Sequence, residues 1–265
     1  MVFYNKWKKK KMKNITKRHE FIIKKLEENG KVYIDKLVEA TGVSGVTIRK
    51  DLKTLEEKGL LFITRGGASL HNPYSIDRSI YEKATINAEA KNSIGKEAVR
   101  LIKNTDSVII GSGTTAFAIT HHLHPQNPLT VITPAIKVAL EMSGRPNVDL
   151  LQLGGMIRPN SSSVAGSYAE YMLDRISCGI IFLGVDGIDM NFGFSISNLT
   201  EAYINQKMIE TSEVVAIVAD SSKFGARGIG KICDIEQVRY VITDKGVKEE
   251  YIKELDNRGV KVIVA

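Results

Sequence analysis

Seven short runs of mostly apolar residues, at 107–110, 129–132, 148–153, 180–183, 214–218, 240–242 and 260–264, mark the larger, later part of this 265-residue chain. Short continuous runs of this kind are expected in strands buried on both faces, because a strand with one wet face alternates instead. Most of the runs are separated by helix-length segments. That alternation predicts a largely parallel α/β sheet covered by helices on both sides, with ligands at the carboxyl ends of its strands.

Residues up to Leu70 follow a helical period instead. From Thr16, the residues Ile22, Ile23 and Leu26 share one face of a helix that Asn29-Gly30 ends. A Val32-Tyr33 stretch precedes Asp35, the expected N-cap of a second short helix through Leu37, Val38 and Ala40 that Gly42 closes. Ser44 is expected to cap a third helix, in which Ile48, Leu52 and Leu55 form the inward stripe and Val46, Arg49, Lys50 and Lys53, flanked by Thr47, face outward. The β-prone segment 60–68, with Gly66-Gly67 at its turn, predicts a hairpin. Three helices followed by a hairpin make a winged helix-turn-helix, whose third helix fits the major groove of duplex DNA. The expected DNA contacts are Ser44, Val46, Thr47, Arg49, Lys50, Lys53 and, in the wing, Arg65.

Charge divides along the same line. Residues 1–70 hold 17 Lys and Arg against 8 Asp and Glu, and residues 71–265 hold 20 against 22, so the net +7 of the chain lies in its first part. A basic small segment ahead of a near-neutral large one suits a domain that meets a polyanion. Lys6, Lys8, Lys9, Lys10 and Lys11 precede Met12, an alternative start, and the segment from Met12 to Leu70 alone is +4. The tail is read either as a solvated extension or as a phosphate-binding arm. Its lysines lead into no apolar signal-peptide core, and no apolar run approaches the roughly 20 residues of a membrane span, so a cytoplasmic location is expected. Cys178 and Cys233 have no CxxC partner and are expected as buried thiols. His121 and His124 could share a helical face as metal ligands, but no HExxH or third ligand is visible, and with His122 they are read as a helix C-terminus; neither a metal nor a cofactor is expected.

Polar motifs come after several of the apolar runs. After Ile110 comes Gly111-Ser112-Gly113-Thr114-Thr115 at the start of a helix, where small residues admit an anion to backbone N–H groups and hydroxyls add donors. It is neither a Walker loop nor a dinucleotide fingerprint. Gly154-Gly155 with Arg158, then Asp186-Gly187-Ile188-Asp189, then Asn198 with Glu201 and Lys207, and finally 219–225 with Lys223 fall at the ends of other runs. Carboxylates suit sugar hydroxyls, whereas Arg158, Lys207 and Lys223 suit a phosphate. The expected effector-binding set is Ser112, Gly113, Thr114, Thr115, Gly155, Arg158, Asp186, Glu201, Lys207 and Lys223.

The run 43–52, VSGVTIRKDL, with LEEKGLL at 55–61 and RGGA at 65–68, resembles the signature of the DeoR family of bacterial transcription regulators. The motifs of the larger segment are similar to that family's effector domain, itself similar in fold to ribose-5-phosphate isomerases and CoA transferases. Gly45 departs from the family's usual larger polar residue, Arg65 from its common His, and Gly111 from the acidic residue of many relatives. The resemblance covers the chain from Met12 to Ala265. It implies a repressor of a carbohydrate-catabolism operon, gated by a phosphorylated sugar and acting as a homo-oligomer on operator DNA. The expected organisation is a basic tail at 1–13, the winged helix-turn-helix at 14–70, a linker at 71–90 with Pro73 and Ser75, and an effector-binding and oligomerisation domain at 91–265.

The rival reading is a sugar-phosphate isomerase fused to a DNA-binding domain. Asp186-Gly187-Ile188-Asp189 is similar to the isomerases' Asp-Gly-Ala-Asp, and Glu201 falls near their catalytic carboxylate. The isomerases' lysine has no counterpart in 192–198, FGFSISN, so binding without turnover and no catalytic residue is expected.

Overall fold

A computed structural model describes residues 16–64, 66–70 and 77–265; Arg65, the 1–13 tail and the 71–76 part of the expected linker lie outside these. The chain divides into two compact units, Met1–Ile76 and Asp77–Ala265. No helix among the described residues is long and apolar enough to cross a membrane.

In the first unit, α1 (Lys17–Asn29) is capped by the Thr16 side chain, which accepts from His19 N, and ends at Gly30 with φ 70°. Strand β1 (Lys31–Tyr33) runs straight into α2 (Ile34–Thr41). Asp35 lies inside the first turn of α2, and the N-cap is Tyr33, whose side chain makes no cap bond. The reason is the wing: Tyr33 is held in a ladder with Gly67, and Ile34 N donates to Gly66 O at 2.8 Å. Helix α3 (Gly45–Glu57) starts at Ser44, whose Oγ accepts from Thr47 N. Strands β2 (Phe62–Thr64) and β3 (Gly67–Ser69) complete a three-stranded antiparallel sheet in the order β1-β3-β2. Gly67 is required there, since a Cβ would stand 1.9 Å from Val32 O. Ile22, Leu26, Ile48, Leu52 and Leu55 are fully buried together, each contributing about 1.5–3 kcal/mol of transfer free energy.

The second unit is built on seven parallel strands, β4 (Ser107–Ile110), β5 (Leu129–Thr133), β6 (Val148–Gln152), β9 (Cys178–Gly184), β12 (Ser212–Val218), β14 (Tyr240–Thr243) and β15 (Lys261–Val264). They correspond to the seven apolar runs. Their order is β15-β14-β12-β9-β4-β5-β6. Alternate residues feed two cores. Val108, Ile110, Ile180, Phe182 and Ala216 pack with α5 (Ala88–Ala98), α6 (Thr114–Thr120) and α7 (Ile136–Met142). Ile109, Ile181, Leu183 and Ile217 pack with α8 (Ser167–Leu173), α9 (Leu199–Glu210) and α10 (Glu249–Asn257), where Leu255 and Tyr251 seat the last helix.

The sequence pattern did not reveal two small antiparallel sheets, β7 (Met156–Arg158) with β8 (Ser163–Ala165), and β10 (Gly187–Asp189), β11 (Gly193–Ile196) and β13 (Gly230–Cys233). Residues 77–90, expected as linker, carry α4 (Ile80–Thr85) and the first turn of α5. The chain builds outward from β4 through β5 to β6, then returns to place β9 on the other side of β4. That reversal opens a crevice at the carboxyl ends of β4 and β9, the usual ligand position in such sheets.

Candidate functional site

On α3 the stripe Ile48, Asp51, Leu52 and Leu55 is buried, which leaves Ser44, Val46, Arg49, Lys50 and Lys53 exposed and Thr47 half-buried. Val46 is 74% exposed, an apolar side chain kept in solvent among cations, where it suits a thymine methyl group. Arg49, Lys50 and Lys53 meet no described carboxylate. Arg65 lies outside the described residues. At Gly45 a Cβ would meet only Arg49 Nη1 at 3.5 Å and the side chains of Ile34 and Val38, so the position has room for a larger residue.

Asp51 is the residue of α3 that sequence reasoning did not single out. Its carboxylate accepts from Arg18 Nη2 at 2.9 Å and contacts His19 Nε2 at 3.1 Å. Burial pushes this carboxyl up, but hydrogen bonds from Arg18 and His19 outweigh it and hold it below the usual carboxylate range. Helix α3 is thereby fixed to α1, and Glu56 Oε1, accepting from Ile63 N at 2.6 Å, fixes its other end to the wing.

At the carboxyl edge of the second unit, the turn after β4 carries Ser112, Gly113 with φ 106°, Thr114 and Thr115. No described residue bonds the hydroxyls of Ser112, Thr114 and Thr115 or accepts from the backbone N–H groups of 112–116. Gly111 donates to Phe182 O, and a Cβ there would lie 2.6 Å from Leu183 Cδ2. The acidic residue that the family resemblance implies here would require the Leu183 side chain to shift.

Beside this turn, after β9, Asp186 is buried and accepts from Lys83 Nζ at 2.8 Å, from Ser197 Oγ at 2.6 Å and from Ser197 N at 3.0 Å. Burial alone would raise its carboxyl; the Lys83 charge, the bonds from Lys83 and Ser197, and the Lys223 charge hold it low. After β12, Asp220 accepts from Asn87 Nδ2 at 2.9 Å, and the Lys223 ammonium makes no hydrogen bond or ion pair with a described residue. Lys91, 6% exposed, donates to Lys83 O at 2.5 Å and Ile86 O at 2.6 Å. Burial pushes its ammonium down to about 8, opposed by Asp220 and assisted by Lys223 and Lys83. Three ammonium groups, two carboxylates and an open hydroxyl-rich turn thus surround the ends of the adjacent strands β12, β9 and β4.

Of the expected effector residues, the structure brings together Ser112, Gly113, Thr114, Thr115, Asp186 and Lys223. Three charged ones it commits elsewhere. Arg158 lies between Asp77, at 2.6 Å, and Glu201, which it faces as an ion pair without hydrogen-bond alignment. Glu201 is thus buried and ion-paired with Arg158. Lys207 pairs with Asp174 at 2.7 Å and Glu210 at 3.3 Å, because α9 runs from the carboxyl edge back toward the start of β12 and leaves Lys207 two turns away from the crevice. Gly155 lies beyond β6, two strands from β4, with φ 141° and Val164 Cγ1 2.9 Å from where a Cβ would be.

Lys83, Asn87, Lys91 and Asp220 are the additions. Lys91 had a sequence signal: it shares the buried stripe of α5 with Ile94, Gly95 and Ala98, and a lysine on an apolar face is rare unless partnered. Asn87, with φ 52°, had none beyond its residue type. His121 is the C-cap of α6 and meets the Phe117 ring edge-on at 5.0 Å, and His122 pairs with Asn92 at 2.9 Å.

Residues 18–73 match the DeoR-like helix-turn-helix domain, and residues 86–245 match the DeoR C terminal sensor domain. An Escherichia coli O157:H7 protein named for transcriptional repression of the aga operon is 35% identical over 96% of this chain and 96% of its own length. The Bacillus subtilis (strain 168) HTH-type transcriptional regulator YulB is 32% identical over 94% of this chain and 96% of its own. Among solved structures, ribose 5-phosphate isomerase A from Methanocaldococcus jannaschii superposes with a TM-score of 0.38 at 18% identity, covering 52% of this chain and 55% of that one. Both domain matches, in this order and over nearly the whole chain, place it in the DeoR family of transcription regulators.

Proposed function

We propose that this chain represses a carbohydrate-catabolism operon by binding operator DNA through α3 and the wing, and that a phosphorylated sugar bound at the crevice between β4 and β9 changes its operator affinity. One observation carries the ligand class: Lys83, Lys91 and Lys223 converge with Asp186, Asp220 and Asn87 beside the open turn 112–115. Ammonium groups and free N–H and hydroxyl donors suit a phosphate, and carboxylates with an amide suit sugar hydroxyls. The relatives' names support the regulatory half, since one is named for repression of an operon. Membership of a family of regulators supports binding over turnover, and Glu201, the carboxylate that the isomerase reading would use, is ion-paired with Arg158.

The proposed active form is at least a dimer, which sets two copies of α3 on half-sites about one helical turn apart. The ligand acts only if it binds the DNA-competent and DNA-incompetent states with different affinities. The test is fluorescence anisotropy of a labelled fragment from the gene's own upstream region, titrated at two salt concentrations and then with a panel of sugar phosphates. Salt-sensitive specific binding reversed by one phosphorylated sugar is the expected result. Operator binding that no sugar phosphate moves would sink the ligand assignment and keep the DNA-binding one.

A further inference from the structure

The segment 77–87 crosses the carboxyl edge of the second unit as a strap with one buried apolar side chain, Ile80. Apart from the Tyr81 ring, which Lys137 Nζ covers at 4.1 Å, the other ties that hold it are hydrogen bonds and ion pairs. At its start, the Asp77 carboxylate accepts from Arg158 Nη2 at 2.6 Å and Asn160 Nδ2 at 3.2 Å, Asp77 O accepts from Asn160 Nδ2 at 3.1 Å, and Ile80 N donates to Asn160 O at 2.7 Å. In its middle, Lys83 holds Asp186, and Lys91 holds the carbonyls of Lys83 and Ile86. At its end, Asn87 holds Asp220. In chain order it directly follows the first unit, whose last described residue is Leu70.

We infer that this strap is the element that converts effector binding into a change at the DNA-binding unit, with Asp77, Arg158 and Asn160 as the latch that positions it. The inference rests on the ligand assignment proposed for the crevice. A phosphate takes the place of the Asp186 carboxylate on Lys83, and a sugar hydroxyl takes the place of Lys83 on Asp186, so the ligand exchanges like for like with the strap's own ties. With little apolar burial to resist displacement, the strap belongs to the low-stability end of the unit. The latch is rigidly backed, because Arg158 also faces buried Glu201. A shift at Lys83 therefore pulls against Asp77, the first described residue after the DNA-binding unit. Asp77 and Asn160 are positioning residues: neither belongs to the converging set that meets the ligand.

The experiment uses the full-length chain and its Asp77→Asn and Asn160→Ala variants on the labelled upstream fragment, with ribose 5-phosphate, fructose 6-phosphate, tagatose 6-phosphate and inorganic phosphate as probes. Calorimetry gives each probe's affinity, and anisotropy gives operator affinity with and without it. In both variants, affinity for the active probe is expected within about threefold of wild type, and so is operator affinity without probe. The probe's effect on operator affinity is expected to fall at least about fivefold, the lower end of ordinary allosteric coupling. A merely structural role would weaken both affinities together and leave their coupling unchanged, which overturns the inference. So does a full wild-type response in both variants. Asn160 is exposed, so its variant is expected to fold even if Asp77→Asn does not. A wild type that binds operator and ignores every probe removes the ligand assignment and this inference with it; a responsive wild type with equally responsive variants removes the inference alone.

Discussion

Arg49, Lys50 and Lys53 stand in solvent with no described carboxylate on them, whereas Lys83 is held by Asp186, 103 positions along the chain, and Lys91 by the carbonyls of Lys83 and Ile86. The difference reflects the partner that each set is proposed to meet. A DNA backbone is a dense line of charge that supplies its own driving force through counterion release, so the protein needs only to present cations on a rigid helix. A single phosphorylated sugar has one or two charges and must order the groups around it. Pre-formed ties between Asp186 and Lys83, and between Asp220 and Asn87, hold those groups near their working positions before the ligand arrives. In the first unit the tied carboxylate Asp51 lies on the inner face of α3 and serves rigidity.

Breaking that tie is the largest effect the comparison leads us to expect. Asp51→Ala leaves Arg18 and His19 facing a cavity, and should cost about 2 kcal/mol, less than a fully buried pair because Arg18 remains partly in water. Urea denaturation of the full chain should show the loss in the first unit, together with weakened operator binding. The pH dependence has a definite sign. A carboxyl held below its unfolded value of about 3.9 contributes stability that is present above that pH and disappears as pH falls through the folded value. An acid titration of the first unit should therefore be shallower in Asp51→Asn. Equal acid sensitivity in both would mean that Asp51 is not the group responsible.

The exposed cations come next. Arg49→Ala should weaken operator binding about 10- to 100-fold, the range of one lost base contact, with fold and affinity for a phosphorylated sugar unchanged. If both affinities fall together, the two units are not separable devices. The mirror variant is Lys223→Ala, which removes a cation that no described carboxylate holds in an ion pair. Affinity for the active sugar phosphate should drop about tenfold, as for one charge-assisted hydrogen bond, with operator affinity preserved.

The same contrast explains what could be read from sequence. Ile48, Leu52 and Leu55 reveal α3 through local spacing alone, and its outward residues are then fixed by the helical period. Asp51 does not stand out, because a carboxylate in a charged helix reads as solvated until α1 is folded against it, with partners 33 and 32 positions upstream. In the second unit the seven strands were legible as apolar runs, and the turn at 112–115 as the small polar residues just past Ile110. The roles of Arg158, Glu201 and Lys207 were not, since a charge in the sequence does not name its partner: two of these pair with each other, and the third with Asp174 on the far side of the unit. Lys83 and Asn87 were hidden inside a stretch polar enough to pass for a linker, and only the crossing of the strap over Asp186 and Asp220 gives them a place.

Lys91 gives the smallest effect and the most specific one. Its ammonium is buried behind the crevice and loses its proton at about pH 8, well inside the range where an ordinary lysine stays charged. A bound phosphate favours the charged form, so binding raises that value and takes up a proton wherever Lys91 is neutral in the free protein. Affinity for the sugar phosphate should therefore be level between about pH 7 and 8 and then decline by at most about tenfold per pH unit above 8. Lys91→Met should bind more weakly at pH 7 and show no such decline, which separates Lys91 from Lys83 and Lys223 on the same edge. Calorimetric titrations at pH 7, 8 and 9 decide it: a wild-type affinity that stays level up to pH 9 would mean that Lys91 holds only the strap's carbonyls and lends no charge to the ligand.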